Sequence, residues 1–375
     1  MLTLRPLPVG KAPTLLSIQI LRAVAALVVA LTHLGYEFDH LGQPDLWPKF
    51  FGIGNVGVDL FFVISGFVMV YASASLFGRK EAPLQFFFLR LARIVPLYWT
   101  TTTIILIYIL IHYPSLESVG IGLGTVAASY FFVPYHWLNG FMAPIHGVGW
   151  TLNYEMFFYV CFSMALLAAR RTGVIVLAFA LAGFVMLNCL LPLPKPFYNW
   201  ADPIILEFVL GMLVALAYQA GVRLPTSAAI GVVVTALLLF VISPLETFSG
   251  PYRFFFWGCP AACIVGALVF AHFSFKESLV ARALGILGDA SYAFYLCHPL
   301  TAPVVRRFLP RFVDPATHQW LYAALVLIVS LAVALMVHIA LEKPFTRRLQ
   351  SSIRSRFSVA LKDSRPKAAF ADVRT

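Results

Sequence analysis

Arg22 and His33 are side chains that a hydrocarbon core tolerates poorly, and they stand eleven residues apart in the first long apolar stretch. At about 100° per residue, eleven positions return to within roughly 20° of one helical face, about 16 Å further along the axis. A guanidinium is permanently charged and grips phosphate in a fork, whereas an imidazole takes and returns protons near neutrality. One face of one helix therefore offers an anion clamp and a general base along a single route, with small Ala23, Ala25 and Ala26 leaving room for a slender substrate arm. The plainer alternatives are an arginine that snorkels to headgroups and a histidine that bonds a neighbouring helix.

Further polar residues recur in otherwise apolar runs. Asp59 and Ser65 lie in the stretch from Gly54 to Phe67, where Gly54, Gly57 and Gly66 permit close helix approach. Asp59 could hold the His33 imidazole in one tautomer, or serve only as polar glue between helices. Glu155 follows closely on Gly149-Trp150-Thr151-Leu152-Asn153-Tyr154, at the depth expected for His33. His33, Arg22, Asp59 and Glu155 are thus the catalytic candidates, and Trp150, Tyr292 and His298 the candidates for substrate contact. Glu207, Asp289, Ser291 and Tyr295 could face the same cavity, although each alone suits an interhelical hydrogen bond; His338 and Glu342 are weaker candidates. The five cysteines lack metal-site or disulfide spacing, and no metal is expected.

The elements that must position these groups follow from composition. Of 375 residues 61% are hydrophobic and 11% charged, and the mean hydropathy is +0.86, which excludes an ordinary soluble domain. The apolar runs are continuous instead of alternating, so helices and not a barrel are expected: an all-α, polytopic bundle of about ten transmembrane helices. The spans read as 16–34, 53–77, 95–113, 148–168, 172–191, 202–220, 227–245, 254–273, 289–305 and 319–341. The segment 120–135 suits a re-entrant or interfacial piece, and the ninth span, ending at His298 and Pro299, suits a tilted or broken helix.

Loops complete the organisation. Segment 78–94 reads as an amphipathic interfacial helix with Phe86, Phe87 and Phe88 among acyl chains and Arg90 and Arg93 at headgroup level. An outer loop, 114–147, carries Tyr130, Tyr135, His136, Trp137, Asn139 and His146, which fits either sugar stacking or an aromatic belt. An N-terminus inside the cell leaves only Lys49, Lys195, Arg253, Arg306, Arg307 and Arg311 of the 27 Lys and Arg in outer loops. The chain then divides into an integral membrane domain, 1–345, and a basic cytoplasmic tail, 346–375, solvated beside anionic lipid. No cleavable signal is expected, because the first apolar segment is too long. The net charge of +11 reflects this topology and not nucleic-acid binding.

Five blocks in order give the chain a resemblance. They are Arg22 with His33; Gly57-Val58-Asp59 through Phe61-Phe62 to Ser65-Gly66-Phe67; Arg90 and Arg93-Ile94 with Pro96, Tyr98 and Trp99; Trp150-Thr151-Leu152 with Glu155; and Ser291-Tyr292 through Tyr295-Leu296 to His298-Pro299. Together they resemble the membrane-bound acyltransferase 3 family, and the wording from Gly149 to Tyr159 most resembles its exopolysaccharide-modifying branch. The resemblance implies an O-acyltransferase, most simply an O-acetyltransferase, that takes its group from cytoplasmic acetyl-CoA or another acyl-CoA. It implies that His33 is the essential histidine, that Arg22 is essential beside it, and that Arg90 and Arg93 engage the donor; Ser65 is grouped with them. A glycan or lipid-linked saccharide acceptor, membrane lipid and polysaccharide biosynthesis proteins are the expected partners, in a bacterial inner membrane with both termini cytoplasmic. A transporter or flippase of lipid-linked saccharides and a non-catalytic scaffold are the competing classes.

Overall fold

Continuous apolar sequence with few breakers must satisfy its backbone internally, and the chain does so with helices throughout. The structure is a computed structural model that describes residues 15–135, 143–243, 252–271 and 278–363. Its α-helices are α1 (Leu16–His40), α2 (Val56–Ala72), α3 (Ala82–His112), α4 (Leu123–Tyr130), α5 (Trp150–Ala165), α6 (Arg170–Leu190) and α7 (Phe197–Trp200). They continue with α8 (Leu206–Gln219), α9 (Thr226–Ile242), α10 (Cys259–Phe270), α11 (Leu279–Asp289), α12 (Ser291–Phe308), α13 (Gln319–Val337) and α14 (Lys343–Asp363). The described residues contain no strand.

Each expected apolar span falls on a helix, and the protein is a multi-pass membrane protein. Five helical stretches are long and apolar enough to cross a bilayer: Leu16–His40, Lys49–Ala72, Ala82–His112, Arg170–Leu190 and Gln319–Phe357. A sixth is the pair Leu279–Asp289 and Ser291–Arg311, bent by 70°. Pro203–Gln219, Thr226–Ile242 and Phe254–Phe270 are apolar but shorter. The break in the ninth span therefore precedes α12, at Ala290, and the helix runs on through Pro299 and Pro303.

One expectation is corrected. Residues 82–94 do not form a separate interfacial helix: they are the first turns of α3, which continues past Pro96 to His112. Phe86 points into the protein, fully buried against Tyr159 and Phe162, with ring centroids 6.0 and 5.1 Å away. Arg90 follows it inward, its guanidinium carbon 5.3 Å from the centre of the Phe86 ring. The cause is local: a helix with an inward Phe86 turns position 90, four residues later, to the same face. Beyond 345 the chain continues as helix, α13 passing through a π-helical turn, His338–Glu342, into α14. There Gln350 Nε2 donates to Leu89 O at 3.3 Å, docking α14 on α3.

Small residues set the helix spacing. A Cβ on Gly66 of α2 would lie 2.0 Å from Phe208 O of α8, and one on Gly211 of α8 would lie 2.0 Å from Val63 O of α2. The two glycines thus interlock the backbones, which brings Phe62, Phe158 and Phe208 into a stack at 4.6 and 4.4 Å. Gly57 lets α1 approach in the same way, with a Cβ there 2.4 Å from Ala25 O. Gly211→Val is expected to separate α2 from α8 and destabilise the fold by at least about 1–3 kcal/mol. The check is the melting midpoint in detergent, where a value equal to that of the unaltered protein would refute the interlock.

Candidate active site

The site is built from α1, α2, α3, α5 and α12, which enclose a cavity of about 100 Å³. Into it project Arg22 from α1, Ser65 from α2, Arg93 from α3, Glu155 and Tyr159 from α5, and Tyr292 from α12. Ser65 Oγ donates to Glu155 Oε1 at 3.1 Å, and Tyr159 OH donates to the same oxygen. Glu155 is thereby fixed as an acceptor, while Arg22 and Arg93 make no hydrogen bond or ion pair among the described residues. Arg90 lies behind Tyr159, 6.0 Å from its ring centre, with Nε buried and without a hydrogen-bond partner. Two guanidinium groups open to a cavity, with a third behind, form a receptor for phosphate or another polyanion.

His33 does not line that cavity. It faces a second one, of about 170 Å³, between α1, α12 and α13, together with Glu37, His298 and Ser330. The His33 and His298 rings meet edge to face with centroids 5.0 Å apart. His33 Nδ1 lies 2.8 Å from Val29 O, and His298 Nδ1 lies 2.9 Å from Phe294 O. A carbonyl oxygen only accepts, so in each neutral ring Nδ1 carries the proton and Nε2 the lone pair. The helix itself sets both tautomers, leaving two adjacent Nε2 atoms as bases, of which that of His298 is buried and without a partner.

The single route expected between Arg22 and His33 is not found: the two residues line separate cavities with no lining residue in common. Both α1 and α12 line both chambers, α1 with Arg22 and then His33, α12 with Tyr295 and then His298. The rings of Tyr295 and His298 are 6.2 Å apart where the chambers adjoin. Tyr295 OH is held by Val148 O and Thr151 Oγ1, each at 3.0 Å. A third imidazole, His146, is structural. Its Nε2 donates to Leu296 O at 3.0 Å, and burial pushes its pKa down to about 4, so it stays neutral at physiological pH.

Other candidates are placed elsewhere. Asp59 does not orient His33: its carboxylate, completely buried, takes a two-point hydrogen bond from Arg253, Nε to Oδ1 at 3.0 Å and Nη2 to Oδ2 at 2.8 Å. A carboxylate with no access to water needs a cation, and His33 Nδ1 is already committed to its own helix. Arg253, expected in an outer loop, is buried instead, its guanidinium carbon 5.7 Å from the Trp150 ring centre and 5.2 Å from that of Trp257. Trp150 consequently belongs to this cluster and lines neither chamber. Glu207 of α8, also fully buried, interacts with the same pair. His136, Trp137 and Asn139 lie outside the described residues. Among the described residues no three His, Cys, Asp or Glu are grouped as a metal site.

Fold and site define a multi-pass membrane protein with two arginines lining one internal cavity and two histidines lining a second. The chain belongs to the acyltransferase family described as Acyltransferase domain (Acyl_transf_3), which it matches over residues 15–339. It is 33% identical over 306 residues to the exopolysaccharide production protein ExoZ of Rhizobium meliloti, covering 80% of this chain and 91% of that one. It is 29% identical over 335 residues to the acyltransferase MdmB of Streptomyces mycarofaciens, covering 79% and 82%. With the peptidoglycan O-acetyltransferase OatA of Listeria monocytogenes it shares 24% over 329 residues, 77% of this chain and 50% of the relative. No solved structure matches. The chain is an O-acyltransferase.

Asp59→Asn leaves the Arg253 charge buried without its counterion and is expected to cost about 3–5 kcal/mol of stability. Thermal unfolding in detergent measures it. An unshifted midpoint combined with lost turnover would return Asp59 to the catalytic group.

Proposed function

We propose that the chain transfers an acyl group, most simply acetyl, from acyl-CoA on the cytoplasmic side to a hydroxyl of an exopolysaccharide or other cell-surface glycan precursor in the bacterial inner membrane. The names of ExoZ and OatA, an exopolysaccharide production protein and a peptidoglycan O-acetyltransferase, support a polysaccharide acceptor. Arg22, Arg90 and Arg93 suit the phosphates of a CoA thioester, with Ser65 and Glu155 at the same cavity. The prevalence of Lys and Arg in the loops assigned to the cytoplasm supports that entry side.

A thioester is already activated, so the protein has to deprotonate the alcohol, hold it at the carbonyl and stabilise the oxyanion. In the proposed sequence, the hydroxyl proton passes to Nε2 of His33 as the alcohol oxygen bonds to the thioester carbon. Collapse of the tetrahedral adduct breaks the C–S bond, and the imidazolium returns the proton to the departing thiolate. His298, its ring centroid 5.0 Å away, stands beside His33 as a second base. The two Nε2 lone pairs facing one cavity carry this reading.

His33→Ala is expected to fold and to retain acetyl-CoA while lowering transfer by about 10²–10⁴-fold. Purified protein, labelled acetyl-CoA and polysaccharide from a strain lacking the chain measure it, with NMR of the product. Undiminished transfer by the variant would remove His33 from catalysis. Separately, Arg93→Ala is expected to raise the donor KM with little change in acceptor KM, and an unchanged donor KM would move the donor elsewhere.

A further inference from the structure

Resting on the reading above, we propose that Glu37 and Ser330 form an acceptor subsite that recognises a neutral, polyhydroxylated sugar ring and sets which hydroxyl meets the imidazole pair.

Glu37, His298 and Ser330 come from α1, α12 and α13 and converge on the second chamber, all three more than nine-tenths buried. Two of them present polar atoms that the protein does not use. His298 Nε2 and Ser330 Oγ have no hydrogen-bond partner among the described residues. Ser291 Oγ and Thr102 Oγ1 share this state, whereas several other helical hydroxyls bond to their own helix. Thr100, Thr101, Ser129 and Thr301 all give their hydroxyl hydrogens to the carbonyl four residues earlier on their own helix. A buried hydroxyl or imidazole nitrogen left unpaired carries a desolvation cost that a ligand can remove.

Charge selects the class of that ligand. Glu37 Oε2 lies 3.3 Å from Arg306 Nε, so the carboxylate is compensated and the chamber presents neither a free anion nor a free cation. A charged ligand finds no counterion there, but a hydroxyl finds an acceptor at Glu37, a donor or acceptor at Ser330 and a base at His298. Ala302, Val326 and Leu327 supply an apolar wall for the C–H face of a ring. Tyr36, 56% exposed and 5.6 Å from His33, stands on the same chamber, where an adjoining sugar could stack. Glu37 and Ser330 are positioning residues in this scheme. They fix the ring, and the hydroxyl left facing Nε2 is the one acylated.

The test measures transfer from labelled acetyl-CoA to alkali-deacylated polysaccharide fragments from a strain lacking the chain, using the full-length protein in detergent. Glu37→Gln and Ser330→Ala are each expected to raise the acceptor KM about tenfold, with kcat within about threefold and donor KM unchanged. Arg306→Gln, which leaves the carboxylate in place, is expected to raise it less than Glu37→Gln. Unchanged acceptor KM in both Glu37→Gln and Ser330→Ala would overturn the subsite. So would an Arg306→Gln effect equal to that of Glu37→Gln, because the pair would then be a strut. If His33→Ala still abolishes transfer in that case, the acyl-transfer reading stands without the subsite. Failure of the unaltered protein to acylate the fragments at all would count against a saccharide acceptor and hence against both.

Discussion

The buried fork between Asp59 and Arg253 is the interaction on which the helix arrangement depends. It ties α2 to the start of the segment leading into α10, at a depth where neither charge reaches water. In such surroundings attraction between two charges offsets the cost of removing them from solvent only when the geometry is close to ideal. The two-point contact, the flanking Trp150 and Trp257 rings and the nearby Glu207 supply that geometry. Once α2 is fixed this way, the glycine interlock with α8 and the Gly57 contact with α1 determine where Ser65 and Arg22 can lie.

Much of this was legible in the sequence for one reason: polar residues in hydrocarbon are expensive, so their positions carry information. Arg22, His33, Ser65, Glu155, Tyr292 and His298 were singled out on that ground, and all six line one of two adjoining chambers. The helix period predicts Arg22 and His33 on one face of α1, and the structure gives them to two different cavities. The period could not reveal that the protein closes between them, because that depends on how Tyr295 of another helix is anchored.

The partner of Asp59 was not legible. Arg253 sits at the end of a span, where sequence reads a cation as a loop residue, and only packing shows that it turns inward. The first turns of α3 failed for a related reason. A run of Phe86, Phe87 and Phe88 with arginines nearby has the composition of an interfacial helix, yet Phe86 and Arg90 share a face that the bundle covers. Periodicity records which residues lie together and leaves open whether lipid or protein covers them.

Pro299 lies directly after His298 in α12. Proline has no amide hydrogen, so the carbonyl of Tyr295, four residues earlier, is released from the helix ladder. That carbonyl belongs to the residue at the wall between the chambers. A helix can flex at such a point without sacrificing a backbone bond, and Pro303 repeats the device one turn further on. A bend of α12 at that joint would shift Tyr295 against His298, and with them the two cavities that they line.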